Sequence, residues 1–308
     1  MPESGREIVN DIVNALTIDV EEYFHVTNLA AAVRPEDWAG LASSVRPNTE
    51  RLLALLAEAK VSATFFVLGW VAERDPALVR QIHAQGHEVA CHGYSHELVH
   101  AMSPEAFRDD LRRARSLLED LTGEAVAGYR APSWSITPWA LDILAEEGFR
   151  YDASIMPLKP GASGAPRFPH LVRANGSALA EFPVTTLRLL GLKLPVAGGG
   201  YFRLYPYRLT RAALSSINRQ EGRPFVFYLH PWEIDPAQPR PGKVSPLKAF
   251  RHYVNLSRTE RRLQRLLADF RFAPIRHVLE YGQSDAAARL ACTLPPSSPL
   301  PAARVAQG

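Results

Sequence analysis

Two histidines four residues apart, His92 and His96 in His-Gly-Tyr-Ser-His, follow a strand-like apolar run, Glu88-Val-Ala-Cys91. Far upstream a second such run, Ala15-Leu-Thr-Ile-Asp19, ends in three carboxylates, Asp19, Glu21 and Glu22. Two imidazoles and one carboxylate fill three positions around a divalent ion and leave a fourth for water, whose pKa such an ion lowers to roughly 7. That is the equipment of a hydrolase. Spacing alone decides little, because His83 and His87, and His96 and His100, are also four apart. Of these only His92 and His96 follow a strand end; His83 falls on the polar side of a helical stretch, and His87 precedes its strand.

Strand geometry sorts the carboxylates. Side chains alternate with period two, so Asp19 and Glu21 point the same way if the strand persists, while Glu22 points across. One of the first two can bind metal while the other takes a proton. His25, in Tyr-Phe-His, reads as structural. Two further groups close strand-like runs. Arg130, in Gly-Tyr-Arg-Ala-Pro-Ser-Trp, offers a guanidinium that can hold Asp19 ionised and aimed. His230 ends Phe225-Val-Phe-Tyr-Leu-His and can protonate a leaving amine.

These residues need a scaffold that gathers strand ends. Strand-like runs at 13–20, 62–68, 88–92, 126–132, 151–154, 181–184 and 224–230 alternate with helical spacing, as in 48–60 or in 103–121, where Ser103 caps and Pro104 opens a helix. Strand and helix alternating through one domain predict a parallel α/β sheet, and the length favours a distorted barrel of the (β/α)7 type. In such a barrel the C-terminal strand ends converge. Asp19, His92, Arg130, Asp152 and His230 all fall there.

The barrel is expected over residues 1–283. A Gly- and Pro-rich insertion at about 156–207, with one short strand, reads as loops facing substrate, and an Ala/Pro/Ser-rich tail over 284–308 reads as disordered. Lys and Arg number 35 against 32 Asp and Glu, so the chain lacks the basic excess of a nucleic-acid binder and suits a weakly charged substrate. Two cysteines, Cys91 and Cys292, give no disulfide framework. With no apolar leader and no run of about 18 apolar residues, the expectation is a cytoplasmic protein without a transmembrane segment.

Thr17-Ile-Asp19-Val-Glu21, His92-Gly-Tyr-Ser-His96, Arg130-Ala-Pro132 and Leu229-His230 resemble, in order, the motifs of the polysaccharide deacetylase family, carbohydrate esterase family 4. Asp-Val-Glu-Glu-Tyr-Phe-His, Gly-Gly-Gly-Tyr-Phe-Arg and Tyr-Leu-His-Pro-Trp-Glu look closest to the branch found with exosortase and exopolysaccharide loci. The resemblance implies a divalent metal, usually zinc, and hydrolysis of acetyl groups on poly- or oligosaccharides. It makes Asp19 the base, Glu21, His92 and His96 the metal ligands, Arg130 the residue that orients the base, and His230 the acid. It also makes the Ser133 amide an oxyanion donor; Trp134, Tyr201 and Phe202, as loop aromatics, read as faces that can stack on sugar rings. The branch implies association with membrane-bound exopolysaccharide machinery. Two departures stand out: Val20 follows Asp19 where the family has a second Asp, so Glu21 or Glu22 must supply the metal carboxylate, and Asp152 is the stand-in for the fourth-motif aspartate. A hydrolase of small cyclic or linear amides, and a non-catalytic carbohydrate-binding relative, are the alternatives.

Overall fold

The computed structural model describes residues 11–158, 164–242 and 244–279. The 284–308 tail, Cys292 and the centre of the Pro160-Gly161 stretch lie outside the described residues.

In chain order the elements are β1 (Val13–Val20), α1 (Val45–Ala59), β2 (Thr64–Val67), α2 (Gly69–Arg74), α3 (Pro76–Ala84), β3 (Glu88–Cys91), α4 (Pro104–Thr122), β4 (Gly128–Tyr129), α5 (Pro138–Glu146), β5 (Tyr151–Asp152), β6 (His170–Ala174) and β7 (Ser177–Glu181). There follow β8 (Thr186–Leu189), β9 (Leu192–Pro195), α6 (Gly199–Leu204), α7 (Tyr207–Gln220), β10 (Val226–Leu229), α8 (Pro246–Tyr253), α9 (Leu256–Asp269) and β11 (Arg271–Ala273). The main sheet runs β10-β1-β2-β3-β4-β5-β7-β6, with β11 also on β1. All its pairings are parallel except β6 with β7. The result is one α/β domain with a curled, half-barrel sheet, as the alternation of elements implies.

Strands β1, β2 and β10 are buried on both faces, and strand parity divides the core. Leu16, Ile18 and Val20 of β1 join Phe65, Val67 and Cys91 in the large cluster under the helices. Ala15 joins Phe66, Ala90, Tyr151, Ala153, Ala180 and Val226 inside the curl. Asp19, two residues beyond Thr17 and four beyond Ala15, shares that inner parity. Helix starts follow the sequence: Asp75 accepts from Leu78 N at the head of α3, and Ser103 accepts from Ala106 N at the head of α4, each followed by proline.

The 156–207 stretch differs from the sequence reading. Instead of loops with one strand it holds two β-hairpins, β6–β7 and β8–β9, and helix α6. The strand expected at 181–184 lies at Ser177–Glu181. The reason is Asn175-Gly176, whose φ values of +44° and +76° form the left-handed two-residue turn that joins antiparallel strands. No helix among the described residues is long and apolar enough to cross a membrane.

Candidate active site

The rim at the C-terminal ends of β1, β3, β4 and β10 encloses a cleft of about 430 Å³. Asp19, Glu21, His92, His96, Ser133, Trp134, Tyr201 and His230 all line it.

One wall holds a three-donor cluster. Ligand atoms of Glu21, His92 and His96 lie within 4.8 Å of one another, and all three residues are buried. Glu21 Oε2 stands 2.5 Å from His96 Nε2 and 3.8 Å from His92 Nε2, yet it is a buried acceptor with no aligned hydrogen-bond donor. Burial works against its charge, but His96 and then His92 outweigh this and hold the carboxyl well below its usual range. An ionised, buried oxygen without a donor, facing two imidazoles, fits a divalent cation of the zinc type. His92 is oriented from behind: its Nδ1 lies 2.7 Å from Arg130 O, which turns Nε2 to the cluster.

The loop that carries the histidines is built to hold them. Asp110, from α4, accepts from Tyr94 N at 2.7 Å and Ser95 N at 2.9 Å. Gly93 sits at φ +73°, and a Cβ there would come within 3.0 Å of the Asp110 carboxylate. His96 itself has φ +58°, in the sparsely populated left-handed region. His25 stacks on it with ring centroids 5.6 Å apart and takes a hydrogen bond from Glu22 N. Glu22 turns the other way. It accepts from Ser43, Ser44 N and Val45 N at the start of α1, so it serves a helix end.

The second wall is Asp19 with Arg130. Arg130, fully buried, donates Nη1 to Asp19 Oδ1 at 2.6 Å and to Thr17 Oγ1 at 2.8 Å, and Nε to Ala153 O at 3.0 Å. Its guanidinium lies over Phe66 and Trp134, 4.2 and 4.8 Å from the ring centroids. The following turn carries two consecutive left-handed residues, Ser133 at φ +51° and Trp134 at φ +58°. The Ser133 hydroxyl meets Thr27 Oγ1 at 2.5 Å.

Opposite stands His230, whose Nε2 is 3.8 Å from Asp19 Oδ2 and 3.6 Å from Glu21 Oε1. Its Nδ1 is 3.0 Å from Glu233 Oε2. Burial favours the neutral ring, but the Glu233 hydrogen bond and the carboxylates of Glu21, Glu233 and Asp19 overcome it and push the pKa up to about 9. Glu233 in turn receives Arg203 Nε at 2.8 Å, and Arg203 is pinned by the carbonyls of His252, Val254 and Arg251. The sequence reading missed Glu233 and Arg203. The signal was present in His230-Pro-Trp-Glu233, an N-cap, a proline at the first position and a Glu at the third, the pattern of a capping box. Arg203 comes from the glycine-rich run, where Gly198 must approach β10: a Cβ there would stand 2.1 Å from Tyr228 O.

Asp152 is not brought to the cleft. Tyr151 and Ala153 face the interior of the curl, so by alternation Asp152 points outward. It accepts from Ser154 N at 3.1 Å and Ser154 Oγ at 2.5 Å, and Ser154 Oγ receives Ala131 N. It therefore braces the turn after Arg130 without reaching substrate.

The family model described as polysaccharide deacetylase matches residues 39–151, and one described as a domain of unknown function, DUF3473, matches 153–280. A peptidoglycan deacetylase of Helicobacter pylori is 40% identical over 106 residues, 34% of this chain and 36% of its own length. A chitooligosaccharide deacetylase of Sinorhizobium fredii is 35% identical over 111 residues, covering 29% and 52%. The chain thus spans about a third to a half of the length of these curated relatives. Among solved structures, a Mycobacterium smegmatis protein assigned as a polysaccharide deacetylase aligns at TM-score 0.60 and 23% identity over 92% of this chain and 93% of its own. The Puue allantoinase aligns at 0.61 and 16% identity over 89% and 91%. These two share the fold. The sequence matches support the polysaccharide deacetylase family; the stretch that its model matches contains His92, His96 and Arg130 but not Asp19, Glu21, His230 or Glu233.

Proposed function

We propose that this protein is a metal-dependent hydrolase that removes acetyl groups from N-acetylated sugars, in a bacterial exopolysaccharide or its precursor. The observation that carries the reading is the convergence, on one cleft, of the Glu21/His92/His96 cluster, the Asp19–Arg130 pair and the His230–Glu233 pair. These come from both ends of the chain, including segments outside the matched deacetylase region. A divalent ion held by Glu21, His92 and His96 would supply Lewis acidity toward water and the acyl oxygen.

The chain's own groups do the rest. Asp19, ion-paired with and aimed by Arg130, accepts the proton of the attacking water. The Ser133 amide, in the strained turn after Arg130, is the donor for the developing oxyanion, a role worth about 3 kcal/mol in the transition state. His230, its ring fixed by Glu233, delivers a proton to the departing sugar nitrogen so that acetate separates from an amine. Trp134 and Tyr201 give the cleft flat apolar faces for sugar rings.

The exopolysaccharide context, an association with its membrane-bound machinery and a cytoplasmic location belong to this reading through the branch resemblance. Metal analysis of the purified protein, paired with acetate release from a panel of N-acetylated oligosaccharides before and after chelation, tests it. We expect one tightly held divalent ion per chain and acetate release that stops on chelation and returns with zinc. Hydrolysis of allantoin-like amides without acetate release would favour the small-amide alternative. Neither activity in metal-loaded protein would favour a binding role.

A further inference from the structure

The β8–β9 hairpin carries features that neither the core nor the cleft uses. Its strands pair from Thr186 with Pro195 to Leu189 with Leu192. The turn between them, Leu190-Gly191, has φ +49° and +82°. Two left-handed residues in succession favour Asn or Asp followed by Gly, and Asn175-Gly176 in the neighbouring hairpin follows that preference. Here a leucine takes the first position, against backbone preference and against solvent, at 95% exposure. Leu189 and Leu192 beside it are 52% and 65% exposed. None of the three lines the cleft.

Directly behind this apolar tip the charge changes. Arg188 stands opposite Lys193 across the two strands. Arg167 is close as well: burial first, then the charges of Arg167 and Arg188, lower the pKa of Lys193, whose Nζ donates to Ala165 O at 3.2 Å. Glu221 pairs with Arg167 at 2.8 Å. Three leucines ahead of a cationic collar match a lipid boundary, where apolar tips enter the acyl region and Arg and Lys stems meet phosphates. Strain retained at a solvent-facing apolar position points to use rather than stability.

We propose that this hairpin docks the protein on an anionic lipid surface, with Leu189, Leu190 and Leu192 entering the membrane and Arg188 and Lys193 meeting lipid phosphates. A second copy of this chain would also cover leucines, but it would have to bring its own cationic collar against this one. Lipid anions remove that repulsion.

The test is co-sedimentation of the full chain with vesicles of phosphatidylcholine alone and of phosphatidylcholine with phosphatidylglycerol. Binding is expected only with the anionic lipid and is expected to weaken with salt. Leu190→Asn should lower it at least ten-fold while leaving the thermal midpoint unchanged or raised, because Asn suits the turn. Arg188→Glu should lower it several-fold. No binding to anionic vesicles, or undiminished binding by Leu190→Asn, would overturn the proposal. So would a lipid-free self-association abolished by Leu190→Asn, or a drop of several degrees in that variant's midpoint, which would mean the tip packs within the fold. The readout is binding, so its failure leaves the proposed reaction standing.

Discussion

The rim of the sheet has two arcs that treat buried carboxylates in opposite ways. On the arc formed by β1, β3 and β10, each carboxylate that lines the cleft meets a positive or protonatable partner: Asp19 meets Arg130, Glu21 meets His96, and Glu233 meets Arg203 and His230. On the arc formed by β5 and β7, two carboxylates meet each other. Glu181 and Asp152 are neighbours in register, both fully buried. Burial, and then the Asp152 charge, pushes the Glu181 carboxyl well above its usual range, and burial raises Asp152 as well, which favours a proton held on this pair. The first arc keeps charge available for chemistry, and the second removes it to make a brace. Arg130 links them, with Nη1 on Asp19 and Nε on Ala153 O.

The largest expected effect comes from breaking the first arc at its proposed metal ligands. His92→Ala, His96→Ala and Glu21→Ala should each lose metal and activity together, because two protein donors hold a divalent ion far less tightly than three. Glu22→Ala should keep the metal and cost only about 1 kcal/mol of stability, the worth of a helix-end carboxylate and its hydrogen bonds. Metal content by mass spectrometry and a urea melt separate these outcomes. If Glu22→Ala empties the site and Glu21→Ala does not, the parity assignment is wrong.

Next come the groups proposed for proton transfer. Asp19→Asn and His230→Ala should each lower acetate release by about 100-fold or more with metal retained. Metal loss in Asp19→Asn would make Asp19 a ligand. Glu233→Gln should cost less, about 10-fold, since a neutral partner still accepts from His230 Nδ1 but no longer stabilises the charged ring. Turnover equal to wild type would reduce Glu233 to a cap on the turn after β10.

Much of the first arc was legible because strand parity is a local property. Asp19, Glu21, His92, Arg130 and His230 each follow a run whose period places them, and Glu22 is sorted from Glu21 by a single step. Glu233 needed one more local rule, the capping box. Arg203 could not be read, because its partner lies 30 positions away and only the fold brings them together. The β6–β7 hairpin was missed although Asn175-Gly176 announces it, since the surrounding Gly and Pro drew the whole stretch toward loops. Asp152 was placed in the cleft by its position at a strand end. Its parity points it outward, and its partner Glu181 sits on a strand whose register that turn sets.

The smallest effect tests the second arc. Glu181 has a folded pKa above its unfolded value of about 4.3. Its contribution to stability is therefore fully present below about pH 4 and is lost as pH rises through the folded value, with a slope of at most about 1.4 kcal/mol per pH unit for one proton. In Glu181→Gln the amide oxygen can still accept from Ile155 N, as Oε1 does now at 3.0 Å. The amide nitrogen replaces Oε2, which has no hydrogen-bond partner among the described residues, and would donate to Asp152 at every pH. Urea melts from pH 5 to 9 should show the variant gaining on wild type as pH rises, with metal binding unchanged because neither residue lines the cleft. Parallel stability curves for the two proteins would mean that the carboxylates do not share a proton, and the contrast between the arcs would rest on hydrogen bonding alone.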